Sequence, residues 1–184
     1  MPRSRLIMFV VGASESGKTV LVRKIAKLAN QPMLVIDPAG SWGDLGICVR
    51  DPWAPIARAL KSGFNGTLIL DDADAYLSSS GSRDTWGQIW TMHRHFGMDL
   101  IAMFRRPQEI PKVAFTSCSR LFAFQYMPGT PEYNYLRKRG YVPESIPFPS
   151  KRFEYIECDI KAQRYAKRKI TARDLQLYGN PRGF

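Results

Sequence analysis

The stretch Gly12-Ala13-Ser14-Glu15-Ser16-Gly17-Lys18-Thr19 constrains this chain more than any other, because of what stands on either side of it. Before it runs Arg5 to Val11, apolar from Leu6 onward and of strand length. After it, Val20, Leu21, Ile25 and Leu28 recur at helical spacing up to about Ala29. A turn of the form GxxxxGK[ST] between a strand and a helix wraps backbone N–H groups around the oxygens of an anion, and the helix aims its positive end at the same point. Gly12 and Gly17 supply the unusual dihedrals and the close approach. The expected nucleotide-binding residues are therefore Gly12, Ala13, Ser14, Glu15, Ser16, Gly17, Lys18, Thr19 and Val20. Lys18 is expected to reach the β- and γ-phosphates, and Thr19 to offer its hydroxyl to Mg²⁺. Glu15 repels phosphate unless it points outward; it either faces solvent or meets a neighbouring subunit.

The rest of the chain alternates short apolar runs with helical stretches, the pattern of an α/β fold around a mainly parallel sheet. Further strands are expected at Met33–Asp37, Thr67–Asp71, Met98–Phe104 and Arg120–Gln125, with helices near Pro55–Lys61 and Asp84–Phe96. Ser78–Ser82 is a polar loop. After Tyr126 the prolines 128, 131, 143, 147 and 149 break the texture, leaving one helix near Glu132–Arg139 and one strand at Phe153–Asp159. The organisation expected is an ATPase domain over 1–160 and a basic tail over 161–184, which carries seven basic residues and one acid.

Leu68-Ile69-Leu70-Asp71-Asp72 is an apolar strand ending in two acids, expected one strand over from the phosphate turn. Asp71 is placed to hold the shell of a Mg²⁺ ion through water, and Asp72 to polarise an attacking water. A capping or turn role is the plain alternative for the pair. Asp74 reads as a helix-start acid.

Of 184 residues 27 are basic and 16 acidic, a net charge of +11, which favours an anionic partner and above all nucleic acid. The three cysteines, Cys48, Cys118 and Cys158, are scattered, which speaks against a disulfide framework or zinc site and for buried thiols. The longest apolar run is strand-length, far short of a membrane span.

Three further motifs carry a family likeness. Asp37-Pro38-Ala39-Gly40 follows the second strand. His93-Arg94-His95-Phe96-Gly97-Met98-Asp99 leads into the fourth, and Arg105-Arg106-Pro107 follows that strand. With the two nucleotide motifs, this order over about residues 5–126 resembles the FtsK–HerA superfamily of ring-shaped DNA-pumping ATPases. Within it the chain is similar to the genome-packaging ATPases of tailless, membrane-containing double-stranded DNA viruses, and second to the Zot-like assembly ATPases of filamentous phages.

The resemblance implies a P-loop NTPase three-layer sandwich of the ASCE, RecA-like kind with a small C-terminal extension. It implies ATP and Mg²⁺ as cofactors, a homo-oligomeric ring expected to be a hexamer, and sequence-independent double-stranded DNA as partner. A capsid or viral membrane protein at a portal vertex is a further expected partner, with the chain in the host cytoplasm or with the virion. Lys18, Asp72, Arg105 and Arg94 are the expected catalytic residues. Arg105 senses the γ-phosphate or forms a salt bridge; Arg94, with Arg83 as second candidate, is offered to the next subunit. Arg83, Arg137, Lys138 and Arg139 are expected at DNA. The chain departs from the family pattern in having Asp72 where glutamate is usual, which loosens water positioning, and Arg105 where glutamine is frequent. A Zot-like extrusion ATPase, a small-molecule kinase and a non-hydrolysing DNA-binding scaffold stand as alternatives.

Overall fold

The computed structural model describes residues 5–43, 53–77, 89–90 and 93–179. The elements in chain order are β1 (Ile7–Val11), α1 (Lys18–Ala29), β2 (Met33–Ile36), α2 (Trp53–Lys61), β3 (Thr67–Leu70), α3 (Asp74–Leu77), β4 (Asp99–Phe104), α4 (Lys112–Thr116), β5 (Arg120–Phe124), α5 (Pro131–Lys138), β6 (Glu154–Asp159), β7 (Arg164–Lys169) and α6 (Ala172–Tyr178). A 3₁₀ turn at Pro107–Glu109 follows β4.

The central strands are apolar without interruption because both of their faces are covered. In β1 all five residues are buried. Ile7, Phe9 and Val11 point to one face, among Ile56, Trp90, Phe115 and Leu136. Met8 and Val10 point to the other, among Val20, Leu21, Ala26 and Ile170. This period-two split divides the core into two clusters and makes the molecule three layers. α1 lies over one face of the sheet; α2, α4 and α5 lie over the other.

The seven strands run in the order β2-β3-β4-β1-β5-β6-β7. β1 to β5 are mutually parallel, with Val11 opposite Phe104 on β4 and Ala123 on β5. β4 is thus inserted between β1 and β3. The acids at the end of β3 lie two strands from the phosphate turn, not one, and the end of β4 fills the space between.

β6 and β7 close the sheet as an antiparallel hairpin. The expected boundary at 160/161 runs through this hairpin, which pairs Asp159 with Arg164 and Glu154 with Lys169. Residues 161–179 therefore belong to the same folded unit and are not a separate tail. β7 escapes recognition as a strand because it is an edge, patterned by charge and not by apolar alternation. Cross-strand pairs take the place of a core: Lys167–Glu154 at 3.1 Å, Arg168–Glu157 at 3.5 Å and Arg164–Asp159 at 3.5 Å. α6 then starts from a capping box of Thr171 and Asp174. It docks on α1 through Lys24–Asp174 at 2.8 Å and through Arg23, which donates to the Gly179 carbonyl at 2.9 Å.

Of the expected helix 84–96, Ile89 and Trp90 are helical and buried, and residues 93–97 form turns into β4. The Ser78–Ser82 loop, Arg83, Trp86, Cys48 and residues 180–184 lie outside the described residues. Cys118 and Cys158 are buried, unlinked thiols, pushed up to about 12 by burial. No helix among the described residues is long and apolar enough to cross a membrane.

Candidate functional site

The phosphate turn is tied down at both ends. The Gly12 N–H donates to the Phe104 carbonyl at 3.2 Å, which hangs the start of the turn on β4. A Cβ on Gly12 would come within 2.6 Å of the Phe124 Cβ and 2.8 Å of the Ser16 hydroxyl, so no larger residue fits. Gly17 caps α1 at φ 108, in the left-handed region that glycine adopts without strain. Between them Glu15 also takes a positive φ, of 58. Its backbone carbonyl accepts from Arg152 Nε at 3.1 Å, and its exposed carboxylate lies 3.4 Å from Arg152 Nη2. Glu15 is thus paired within its own chain.

Lys18 is buried, and its ammonium donates to the carbonyls of Gly12 at 2.8 Å and Ala13 at 2.9 Å. Burial pushes its pKa below the ordinary lysine value, while the charges of Asp72 and Asp71 push the other way.

Asp71 is 4% exposed and fully committed. One of its oxygens, Oδ2, accepts from the Ser41 hydroxyl at 2.7 Å and the Trp42 indole N–H at 2.8 Å. Oδ1 accepts from the Asp72 backbone N–H at 2.8 Å. Burial raises its pKa above the ordinary aspartate value, the hydrogen bonds from Ser41 and Trp42 work against that rise, and the Asp72 charge adds to it. Ser41 and Trp42 are in turn held by Asp37, which accepts from the Trp42 backbone N–H at 2.6 Å and the Ser41 hydroxyl at 3.2 Å. Arg23 closes this group, donating to the Ser41 carbonyl at 2.6 Å with its guanidinium 5.1 Å from the Trp42 ring centroid. Sequence reasoning missed Ser41, Trp42 and Arg23. Asp37-Pro38-Ala39-Gly40 was the available signal; what it positions becomes visible only when β2 and β3 lie side by side.

Asp72 sits at φ 44, a left-handed conformation that aspartate tolerates better than most residues. Its carboxylate receives two hydrogen bonds from Arg105, Nε at 3.2 Å and Nη2 at 2.6 Å. Of the two roles open to Arg105, the observed contact is this ion pair, which raises the arginine's pKa further. The Arg105 backbone is fixed from both sides. Its N–H donates to Asp74 at 3.4 Å, and its carbonyl accepts from the Tyr126 hydroxyl at 2.7 Å.

The other expected residues separate. Arg94 is exposed and precedes β4, at the end of the sheet away from the phosphate turn. It does not reach the site of its own chain. Arg137, expected at DNA, has its side chain turned inward, 7% exposed. Its guanidinium donates to the carbonyls of Val142, Pro143 and Ile146 and lies over the rings of Tyr133 and Phe148. It staples the segment after α5 in place, and its charge is spent there. Lys138 and Arg139 are exposed.

The donor set suits a Mg²⁺–triphosphate. The buried Ser16 hydroxyl has no hydrogen-bond partner among the described residues, which fits a phosphate oxygen on the turn. No cluster of three metal-ligating side chains exists among the described residues. Mg²⁺ commonly keeps several waters and takes only one or two protein groups alongside phosphate oxygens. Thr19, half-buried at the start of α1, and Asp71 are the residues that would hold it.

No protein-family model and no curated protein matches the sequence. The fold has solved relatives. The genome-packaging NTPase B204 of Sulfolobus turreted icosahedral virus 2, in complex with AMPPCP, superposes with a TM-score of 0.71 at 14% identity, covering 91% of this chain and 98% of that one. The N-terminal domain of zonular occludens toxin from Neisseria meningitidis gives 0.56 at 14% identity, over 96% and 100%. The cytoplasmic domain of the type VII secretion ATPase EccC from Thermomonospora curvata gives 0.64 at 13%, over 90% of this chain and 24% of that one. The architecture is that of the P-loop NTPases, in a form used by viral packaging enzymes and by the zonular occludens toxin domain.

Proposed function

We propose that this chain is an ATP-driven DNA translocase that packages a viral genome, working as a homo-oligomeric ring. The observation that carries the proposal is a phosphate turn with a buried lysine, Lys18, bonded within it, set beside strands whose ends carry the hydrogen-bonded Asp71 and the Asp72–Arg105 pair. The likeness to a packaging NTPase that binds AMPPCP and the net charge of +11 support it.

The turn's backbone N–H groups and Lys18 cradle the phosphates of ATP. Thr19 and Asp71 would hold Mg²⁺, which would supply charge neutralisation to the phosphates. Asp72 orients water on the γ-phosphate, for which its carboxylate must leave Arg105. Arg105, once free, joins Lys18 in receiving the charge developing on that phosphate, so one movement frees the water-orienting group and delivers a second stabilising cation. Arg94, exposed at the far end of the sheet, is offered to the site of the next copy in the ring, with Arg83 as the other candidate. Lys138 and Arg139 grip the DNA backbone without reading sequence. Lys161, Lys169 and Arg173 are also exposed and add to the basic charge.

The experiment is phosphate release by the purified chain with and without double-stranded DNA. The proposal expects stimulation that declines steeply as salt rises; a rate indifferent to DNA contradicts it. The match to the zonular occludens toxin domain, over 96% of this chain and 100% of that one, favours a second reading, a membrane-linked phage-assembly ATPase. In that case hydrolysis responds to anionic vesicles and not to duplex DNA.

A further inference from the structure

A cleft of about 300 Å³ opens on the side of the phosphate turn away from the acids, between Ala13–Ser16 and the β5–β6 edge, where Phe124, Gln125, Arg152 and Phe153 line it. We propose that this cleft is the nucleobase subsite, with the Phe153 ring as its stacking surface. The proposal rests on the nucleotide reading above and deepens it.

Direction is the first argument. Asp71, Asp72 and Arg105 all follow β3 and β4, on one side of β1, whereas the cleft lies beside β5 and β6, on the other. A triphosphate laid along the turn with its terminal phosphate toward the acids must leave its base at the opposite end.

Charge is the second. Glu15 stands at the lip of the cleft, paired with Arg152. A carboxylate there opposes a phosphate and is indifferent to an uncharged base. The cleft therefore suits the part of the nucleotide that carries no charge.

The ring is the third. Phe153 sits at φ 67, rare for a bulky side chain. The conformation is held by the Ile170 N–H, which donates to the Phe153 carbonyl at 2.8 Å, and by packing against the turn itself. A Cβ on Gly17 would come within 2.9 Å of the Phe153 ring. Backbone held in this way collects at ligand clamps. The Arg152 guanidinium lies 4.8 Å from the ring centroid, adding a cation to an aromatic face. Two polar side chains of the cleft are engaged, Arg152 with Glu15 and Gln125 Nε2 with the Ser150 carbonyl at 3.0 Å, and the Ser16 hydroxyl is left for a phosphate oxygen of the turn. The base is gripped by its face and not read at its edge, so adenine and guanine bind alike.

Calorimetric titration of the whole chain with ATP, GTP and inorganic tripolyphosphate measures the share of the base. The expected result is ATP and GTP within about threefold of each other and tripolyphosphate about tenfold or more weaker, the worth of one stacked base. Phe153→Gly removes the ring and eases the backbone; Phe153→Leu keeps apolar bulk against Gly17 without a ring face. Both variants bring ATP down to the affinity of tripolyphosphate without weakening tripolyphosphate itself, and Phe153→Tyr keeps the difference. Tripolyphosphate binding as tightly as ATP, or Phe153→Leu weakening both ligands equally, overturns the subsite while leaving the phosphate turn intact. Failure of all three ligands to bind overturns the nucleotide reading and the subsite together.

Discussion

On the β2–β3–β4 side of the phosphate turn, charged groups are few, buried and shared among fixed partners. Asp37 and Asp71 are 1% and 4% exposed, and between them they accept from Ser41, Trp42 and the backbone. On the β6–β7 side the charges are many, solvated and paired across strands, as in Lys167–Glu154 and Arg168–Glu157. The first arrangement costs desolvation and returns fixed geometry, which a phosphoryl-transfer site needs before substrate arrives. The second costs little, contributes little to stability, and leaves a basic surface that salt can screen. Lys18 and Arg105 stand at the boundary, one cation buried and the other half-exposed.

The contrast can be broken from the buried side. Arg105→Ala should slow hydrolysis by about tenfold to a hundredfold, because it removes a cation proposed to receive charge on the γ-phosphate. Melting should shift by less than about 1 kcal/mol, since the pair with Asp72 is partly solvated. Arg105→Lys should recover only part of the rate, having no planar fork of two nitrogens for the bidentate contact. Equal losses of rate and stability would show that Arg105 is structural. Trp42→Phe keeps the ring and deletes the indole donor to Asp71. It should destabilise by about 1–3 kcal/mol, as loss of a buried hydrogen bond to a charged group does. The Mg²⁺ concentration for half-maximal hydrolysis should rise more than the ATP requirement; equal rises would separate Trp42 from the metal.

Changes on the other side sharpen the contrast by doing less. Thr171→Ala removes the cap of α6 and should cost about 1 kcal/mol in denaturant unfolding, with hydrolysis unchanged. Burial alone would raise Asp174, but Lys24 and Thr171 hold it below its ordinary value. Its contribution to stability is therefore complete above the ordinary aspartate pKa and fades as pH falls through the lower folded one. Glu157→Gln, losing surface pairs to Arg120 and Arg168, should change stability by less than about 1 kcal/mol, and by less again at high salt. A larger loss would place the hairpin among the load carriers of the fold.

What the sequence made legible follows from range. The phosphate turn with its flanking strand and helix is written in contiguous residues and was found where expected, and the acids end the expected strand, though two strands from the turn and not one. The sheet's parallel half followed from the alternation of apolar runs. The insertion of β4 between β1 and β3 was not legible in the local pattern, because adjacency in a sheet leaves no mark on either strand alone. Ser41 and Trp42 were missed for the same reason, since they meet Asp71 about thirty residues away in the chain. Arg137 was misassigned because a basic run says nothing of direction; its neighbours Lys138 and Arg139 point out, and it points in. Residues 161–179 were read as a tail since charge dominates them. Yet Thr171-Ala172-Arg173-Asp174 ahead of Leu175 was a visible helix start.

The claim beneath all of this is that the turn from Gly12 to Thr19 holds a triphosphate for hydrolysis. It is tested most directly by comparing phosphate release from Mg²⁺–ATP by the native chain and by Lys18→Ala, with circular dichroism to establish that both are folded. The account predicts turnover by the native chain and a loss of at least about a hundredfold in the variant. Equal rates from the two folded proteins would contradict it.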